Sequence, residues 1–221
     1  MLKTVSFQDQ LIAPSKIVCV GRNYVAHIEE LGNEIPDSMV VFVKPNSSIS
    51  DTLQSFADEP LHYEAELAFL VKDGDIQAVG FGLDLTKRKL QSALKAKGLP
   101  WERAKAFDGA ALFSEFVEFS GGIGSLSLEL RVNDVVVQQG GVELMMYPPD
   151  KILLEVRQFM TLNDGDILMT GTPAGVGQIQ AGSVFEGAVL WKDQRLLSAR
   201  WDALAPQLNP TSPIQADAHA P

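Results

Sequence analysis

The chain has 221 residues, of which 46% are hydrophobic and 21% are charged, the proportions of an ordinary soluble globular protein. Its formal net charge of -10 argues against nucleic acid or an anionic membrane as a partner, because both bind a positive protein face. The length favours one large domain, which we place at residues 15–202. A short lead-in (1–14) precedes it, and the Pro-, Ala- and Gln-rich tail (203–221) is expected to be disordered.

The cysteine count and the apolar runs predict a cytoplasmic protein. Cys19 is the only cysteine, so no intrachain disulfide can form, and a small buried apolar role suits it best. No apolar run approaches the roughly 18 residues that a membrane span needs. Residues 1–14 carry no charged-then-apolar leader.

The first predicted strand, Lys16 to Gly21, leads to a short predicted helix from Tyr24 to Leu31, with Asn23 as its N-cap. On that helix His27 and Glu30 lie three residues apart, so their side chains can reach each other and form an acid/base pair. Taken alone, His27 is better explained as a surface histidine on a polar turn. The segment from Gly32 to Pro36 is predicted to be a mobile loop that could carry the pair over a site as a lid.

After a strand from Met39 to Val43, the segment His62 to Val71 is predicted to be one strand that places Glu64 and Glu66 on the same face. An isolated Glu-x-Glu pair is usually a solvated face. A second strand, Ala78 to Leu85, carries Asp84 in apolar sequence, where a bare carboxylate is costly. With a three-residue loop at Asp73-Gly74-Asp75, Asp84 lies opposite Glu64 and the three carboxylates face one way, whereas a two-residue loop would put Asp84 on the opposite face. We predict the three-residue loop. Hard oxygen ligands in this number favour Mg²⁺ or Mn²⁺, and Ca²⁺ could occupy the site.

The later segments contribute a helix from Thr86 to Lys97, whose Arg88 and Gln91 could face the site and whose Lys95 is explained by the helix dipole and solvent. Further predicted elements are a hairpin at 125–139, a helix at 150–160, a strand at 166–169 and a hairpin at 184–201. The loop 170–177 has three glycines and two hydroxyls, so its backbone N–H groups could hold an anion, a carboxylate as plausibly as a phosphate.

Together these segments resemble the fumarylacetoacetate hydrolase family, and most closely its small bacterial acylpyruvase-like members. The resemblance covers roughly residues 15–202 and rests on six motifs in the family's order: Val20-Gly21-Arg22-Asn23-Tyr24 with His27 and Glu30; Phe42-Val43-Lys44-Pro45; His62-Tyr63-Glu64-Ala65-Glu66-Leu67; Leu83-Asp84-Leu85-Thr86 with Arg88 and Gln91; Gly98-Leu99-Pro100-Trp101 with Lys105; and Gly165-Asp166-Ile167 leading to Thr170-Gly171-Thr172-Pro173.

The resemblance implies a β-rich, mixed α+β roll with a few short helices, usually homodimeric, that acts on a small keto acid. It implies that Mg²⁺ or Mn²⁺ is bound by Glu64, Glu66 and Asp84. It also implies that His27 and Glu30 activate water and that Lys105 stabilises the developing enolate. The implied substrate-binding residues are Arg22, Arg88, Gln91, Gly171 and Thr172.

The hypothesis is therefore metal-dependent hydrolytic cleavage of a C–C bond in a 1,3-dioxo acid such as an acylpyruvate, through a pyruvate enolate. Decarboxylation of oxaloacetate and keto–enol isomerisation of a related dicarboxylic keto acid lead to a similar enolate and stay open. A non-catalytic keto-acid-binding scaffold is the alternative from another class. Lys89 and Val142, which depart from the family's pattern, are the features that favour it.

Overall fold

The computed structural model describes residues 2–119 and 121–206, and most of these residues lie in strands. The predicted tail falls almost wholly outside this part of the chain, at residues 207–221. The backbone N–H groups of Ala203 and Leu204 donate to the carbonyls of Ser183 and Leu53 at 2.8 Å each, so the hydrogen-bonded chain continues as far as Leu204. Among the described residues, no helix has the length and apolar character that crossing a membrane requires.

Over residues 2–119 and 121–206 the elements, in chain order, are sixteen strands and four α-helices, with three single 3₁₀ turns at 46–48, 123–125 and 142–144. The strands are β1 (Val5–Phe7), β2 (Gln10–Ile12), β3 (Lys16–Gly21), β4 (Val40–Pro45), β5 (Phe56–Ala57), β6 (Glu59–Tyr63), β7 (Ala65–Lys72), β8 (Asp75–Asp84), β9 (Thr86–Lys87), β10 (Ala111–Phe113), β11 (Leu126–Val132), β12 (Val135–Gly141), β13 (Ile167–Met169), β14 (Gly177–Gln178), β15 (Val184–Trp191) and β16 (Gln194–Asp202). The helices are α1 (Val25–Glu30), α2 (Arg88–Ala96), α3 (Glu102–Lys105) and α4 (Pro149–Val156).

The architecture is the predicted mixed α+β, strand-rich fold. A six-stranded sheet has the order β10-β8-β7-β13-β3-β4, and only its β13–β3 pair is parallel. A four-stranded antiparallel sheet, β12-β11-β15-β16, packs against one of its faces. Strand β7 is therefore buried on both faces, with Leu67 and Phe69 in the main core and Ala68 and Leu70 in a second core cluster. This burial explains the nearly continuous apolar sequence of β7.

The β7–β8 hairpin has the predicted Glu64–Asp84 pairing but not the predicted loop. The turn has two residues, Asp73 (φ 51°) and Gly74 (φ 76°), which are the positive values that a type I′ turn requires. A two-residue turn alone would place Asp84 out of register. A β-bulge at Gln77 adds one residue to β8, so that Leu70 pairs with Ala78 and the Asp84 N–H donates to the Glu64 carbonyl at 2.8 Å.

Two further local predictions were wrong. The predicted strand 62–71 is divided at Glu64, because β6 pairs with β9 and β14 in one sheet while β7 joins another. Asn23 does not cap α1, whose N-cap is Tyr24 without a side-chain bond. The Asn23 amide instead donates to the carbonyls of Tyr147 and Thr170 at 2.9 and 2.8 Å, and so ties the start of α1 to the rest of the domain.

Candidate metal centre and active site

Three carboxylates meet where two sheets join. Glu64 lies between β6 and β7, Glu66 is on β7, and Asp84 ends β8. All three are buried, and each offers one oxygen within 4.8 Å of the others. The sequence predicted this cluster, and the bulge at Gln77 brings it about.

Three cations surround two of these carboxylates. The Lys105 Nζ lies 3.0 Å from a Glu64 oxygen and 2.6 Å from an Asp84 oxygen. Lys44 is fully buried, lies 2.8 Å from the other Asp84 oxygen and donates to the Ala110 carbonyl at 3.0 Å. Arg88 pairs with Glu64. A buried charge needs such a partner, because an unpaired one is strongly destabilising.

Glu66 differs from its neighbours because the described residues include no cation paired with it. Burial raises the pKa of the Glu66 carboxyl, and the nearby charges of Asp84 and Glu64 raise it further. Burial also raises the pKa of Glu64, but the charges of Lys105 and Arg88 outweigh that effect and hold its pKa below the ordinary value. Glu66 is thus the carboxylate that another cation would stabilise most.

These residues fit a divalent cation. The donor set consists of buried carboxylate oxygens, which Mg²⁺, Mn²⁺ and Ca²⁺ prefer, and it contains no thiolate or imidazole of the kind that zinc sites usually use. Three carboxylates held this close together repel one another unless a cation lies among them. This repulsion contributes to the raised pKa of Glu66, and it is also the reason that a divalent cation would stabilise the cluster.

The predicted acid/base pair is present on α1. His27 is buried, and its Nδ1 lies 3.1 Å from a Glu30 oxygen. The other Glu30 oxygen accepts a 2.9 Å hydrogen bond from the Gly175 N–H. Because Nδ1 faces Glu30, Nε2 is the ring nitrogen left for the cavity that His27 helps to line.

The glycine-rich loop 170–177 holds protein carboxylates. The Gly171 N–H donates to Glu66 at 2.7 Å, as the Gly175 N–H does to Glu30. Both glycines have positive φ, 89° and 101°, and a Cβ on Gly175 would lie 1.9 Å from the Val137 carbonyl oxygen. Thr172 is buried, and its hydroxyl accepts a 2.8 Å hydrogen bond from the Gln138 side-chain amide. The loop therefore connects the carboxylate cluster to the His27–Glu30 pair.

One small cavity joins most of the predicted site residues. Of the residues named from sequence, Arg22, His27, Glu64, Glu66, Asp84, Arg88, Gln91 and Lys105 line it. Glu30, Gly171 and Thr172 do not, since Glu30 lies behind His27 and the other two contact protein groups. Arg88 also donates to the Gln91 side chain at 2.9 Å, so these two act as one unit of α2.

Two residues of the site were missed from sequence. Lys95 lines the cavity, and its position, four residues after Gln91 and seven after Arg88, places it on the same helix face. That spacing was a usable signal. Lys44 lies behind the cluster, and its signal was a lysine at the end of an apolar strand.

A sequence model of the fumarylacetoacetate (FAA) hydrolase C-terminal family matches residues 16–201. The chain belongs to the fumarylacetoacetate hydrolase family. One curated relative, oxaloacetate tautomerase YcgM of Escherichia coli (strain K12), is 39% identical over 186 residues that cover 76% of this chain and 85% of that protein. The mitochondrial oxaloacetate decarboxylase of Dictyostelium discoideum is 34% identical, with 80% and 90% covered.

Solved structures agree with this assignment. The fumarylpyruvate hydrolase of Pseudomonas aeruginosa, crystallised in complex with Mn²⁺ and pyruvate, superposes with a TM-score of 0.81 at 25% sequence identity, covering 93% of this chain and 97% of that one. The resemblance found in the motifs is therefore confirmed for the family and for the fold.

Proposed function

We propose that this protein is an oxaloacetate tautomerase, which interconverts the keto and enol forms of that four-carbon dicarboxylic acid. The observation that carries the proposal is one cavity lined by the buried Glu64, Glu66 and Asp84 cluster and by His27, whose ring contacts Glu30 behind it. The names of the curated relatives favour this alternative over the acylpyruvate hydrolysis that the motifs first suggested.

Glu64, Glu66 and Asp84 would hold the divalent ion, Mg²⁺ or Mn²⁺. When bound, such an ion supplies Lewis-acid polarisation of the α-keto acid end of the substrate. Arg88 and Gln91 orient that end, and the ammonium of Lys105 donates a hydrogen bond to the oxygen on which enolate charge develops. Stabilisation of this kind is typically worth about 10²- to 10³-fold in rate.

The proton transfers are assigned to His27. Its Nε2 takes the proton from C3 as the C–H bond breaks, and the resulting imidazolium returns a proton to the C2 oxygen, which completes the enol without any co-reactant. Glu30 orients the ring and stabilises the imidazolium, and the Gly175 N–H holds Glu30 in place. The same steps in reverse convert enol to keto.

The experiment is to follow the ultraviolet absorbance of enol oxaloacetate in the presence of Mg²⁺ while pyruvate is measured by a coupled lactate dehydrogenase assay. We expect enol loss to be accelerated with no matching release of pyruvate. Glu30→Gln should lower the rate by about 10²-fold. Glu29→Gln is the matched control, since Glu29 is an exposed neighbour on the same helix, and should change nothing.

Acylpyruvate hydrolysis is the second candidate, because a neighbouring structure at 25% identity is a fumarylpyruvate hydrolase. The same His27–Glu30 pair could draw a proton from water for attack on the distal carbonyl. A panel of acylpyruvates separates the two reactions. Stoichiometric pyruvate release from one of them, faster than ketonisation of oxaloacetate, would overturn the tautomerase proposal in favour of the hydrolase.

Decarboxylation is distinguished by His27→Ala. Loss of CO₂ from a chelated β-keto acid needs no base at C3, whereas tautomerisation does. Pyruvate release from oxaloacetate that survives in His27→Ala, while ketonisation falls, would assign decarboxylation to the metal centre and tautomerisation to His27.

A further inference from the structure

Two cations of the cavity have no carboxylate partner. Four of its lining side chains are cationic, and Lys105 and Arg88 pair with Glu64. Within the described residues, neither Arg22 nor Lys95 makes an ion pair. A buried or half-buried cation without a counter-charge points to an anion that is supplied from outside.

Arg22 is held in an unusual conformation at the end of β3. Its φ of 57° is a left-handed value that a side-chain-bearing residue rarely adopts. Within the described residues its Nε is buried without a hydrogen-bond acceptor, and the one hydrogen bond of its side chain is a long 3.4 Å bond from Nη2 to the Asn33 side chain. Backbone outliers of this kind concentrate at ligand sites.

Lys95 approaches the same cavity from α2. Its Nζ lies 4.9 Å from the centre of the Trp101 ring, which restrains the long side chain. Burial, together with the nearby charges of Arg22 and then Arg88, lowers the pKa of Lys95 to about 8. The side chains of Arg22, Arg88 and Lys95 therefore converge on one cavity, and an anion bound between them would relieve the repulsion between their charges.

We propose that Arg22 and Lys95 form a carboxylate subsite that binds the second carboxylate of a dicarboxylic keto acid and so selects dicarboxylates over monocarboxylic keto acids. The inference rests on the proposed function, in which the α-keto acid end lies at the metal cluster. Four cationic lining residues against three carboxylates leave an excess of positive charge once a divalent ion is added, and a dianion offsets that excess better than a monoanion.

The test is binding calorimetry on the full chain in Mg²⁺, so that no turnover is needed. The ligand pair is L-malate and 2-hydroxybutyrate, which share the chelating hydroxy acid end and differ by a carboxylate in place of a methyl group. We expect the wild type to bind malate at least 10-fold more tightly. Lys95→Met should weaken malate binding by about 10- to 100-fold and leave 2-hydroxybutyrate unchanged.

Three controls accompany this variant. Lys97→Met removes an exposed lysine from the end of the same helix and should bind both ligands as the wild type does. Lys95→Arg should restore most of the preference. Oxalate occupies only the metal end, so its unchanged affinity for Lys95→Met shows an intact fold and cluster. Arg22→Gln is the second test and should show the same selective loss.

The outcomes separate the two proposals. A wild type without preference for malate, or a preference that survives in Lys95→Met, overturns the subsite whether or not oxaloacetate is tautomerised. A Lys95-dependent preference in a protein that does not accelerate ketonisation supports the subsite and removes the proposed reaction.

Discussion

Two buried carboxylates of this protein, Asp166 and Glu66, have very different surroundings. Asp166 accepts from the backbone N–H groups of Ser15, Lys16 and Asn163 at 2.9, 3.1 and 2.8 Å, from the Ser15 hydroxyl at 2.7 Å and from the Lys16 ammonium. From the described part of the chain, Glu66 accepts one hydrogen bond, donated by the Gly171 N–H. Both residues are at most 2% exposed. Burial alone therefore does not separate them.

The two carboxylates differ in the donors and charges that surround them. Burial would raise the pKa of Asp166, but the hydrogen bonds from Lys16, Ser15 and Asn163 outweigh it and lower that pKa. At Glu66 burial and two neighbouring carboxylates raise the pKa. Asp166 is satisfied by the chain itself and is structural, whereas Glu66 is left short of donors, as expected for a residue whose partner is a ligand.

The largest expected effect is on activity and comes from Glu66→Gln. We expect ketonisation to fall by about 10³-fold or more, because one of the three proposed cation ligands is lost. In EDTA at pH 7 the free energy of unfolding should stay equal or rise, since one of three mutually repelling charges is removed while the Gly171 N–H keeps an acceptor. Urea denaturation and Mn²⁺ calorimetry measure the two quantities. A Glu66→Gln variant that loses stability and keeps its metal affinity would show that Glu66 is a structural carboxylate, as Asp166 is.

The second prediction concerns Lys44, which supports the cluster from behind. Lys44→Met removes one of two partners of the buried Asp84, so metal-free stability should fall by about 3 kcal/mol. Added Mg²⁺ should stabilise this variant more than it stabilises the wild type, because the ion replaces the missing positive charge. Lys72→Met, at an exposed position, is the control. Equal Mg²⁺ stabilisation in both proteins would argue that Lys44 and the cation do not share Asp84.

The third prediction is the mirror image of the first. Asp166→Asn should lower the free energy of unfolding by about 2 kcal/mol, because several donors lose a charged acceptor, and should leave Mn²⁺ affinity unchanged. Asp164→Asn, two residues earlier and exposed, provides the comparison. Weakened metal binding in Asp166→Asn would show that Asp166 and the metal cluster are coupled. Asp166 would then not be a purely structural carboxylate.

The residues of the site were easier to predict from the sequence than the backbone geometry that brings them together. The Glu64, Glu66 and Asp84 cluster followed from strand alternation and from the cost of a carboxylate in apolar sequence. The loop that sets its register did not follow, because the bulge at Gln77 shifts the ladder by one residue and no local signal marked it. The correct pairing was thus predicted with the wrong turn.

Residues that act through tertiary contacts were the hardest to assign. Asn23 is a residue type that often caps helices and it stands just before α1. Its side-chain amide nevertheless donates to the carbonyls of Tyr147 and Thr170, which lie far away in sequence. Lys95 suited the last turn of a helix so well that its cavity-facing position was overlooked. The backbone N–H groups of the loop 170–177 were predicted to hold an anion, and those of Gly171 and Gly175 hold the chain's own Glu66 and Glu30.

The smallest expected effect is a pH dependence of stability, and it tests whether folding lowers the pKa of Asp166. Because the pKa of Asp166 is lowered on folding, the stability it contributes is fully present above the unfolded pKa of about 3.9 and is lost as the pH falls through the folded pKa. We expect the gap in unfolding free energy between wild type and Asp166→Asn to be constant from about pH 7 to pH 5. It should then shrink by about 1 kcal/mol near pH 3. Urea titrations at each pH measure it. A gap that widens on acidification would mean that folding raises this pKa, as it does for Glu66, and the two carboxylates would then belong to one class.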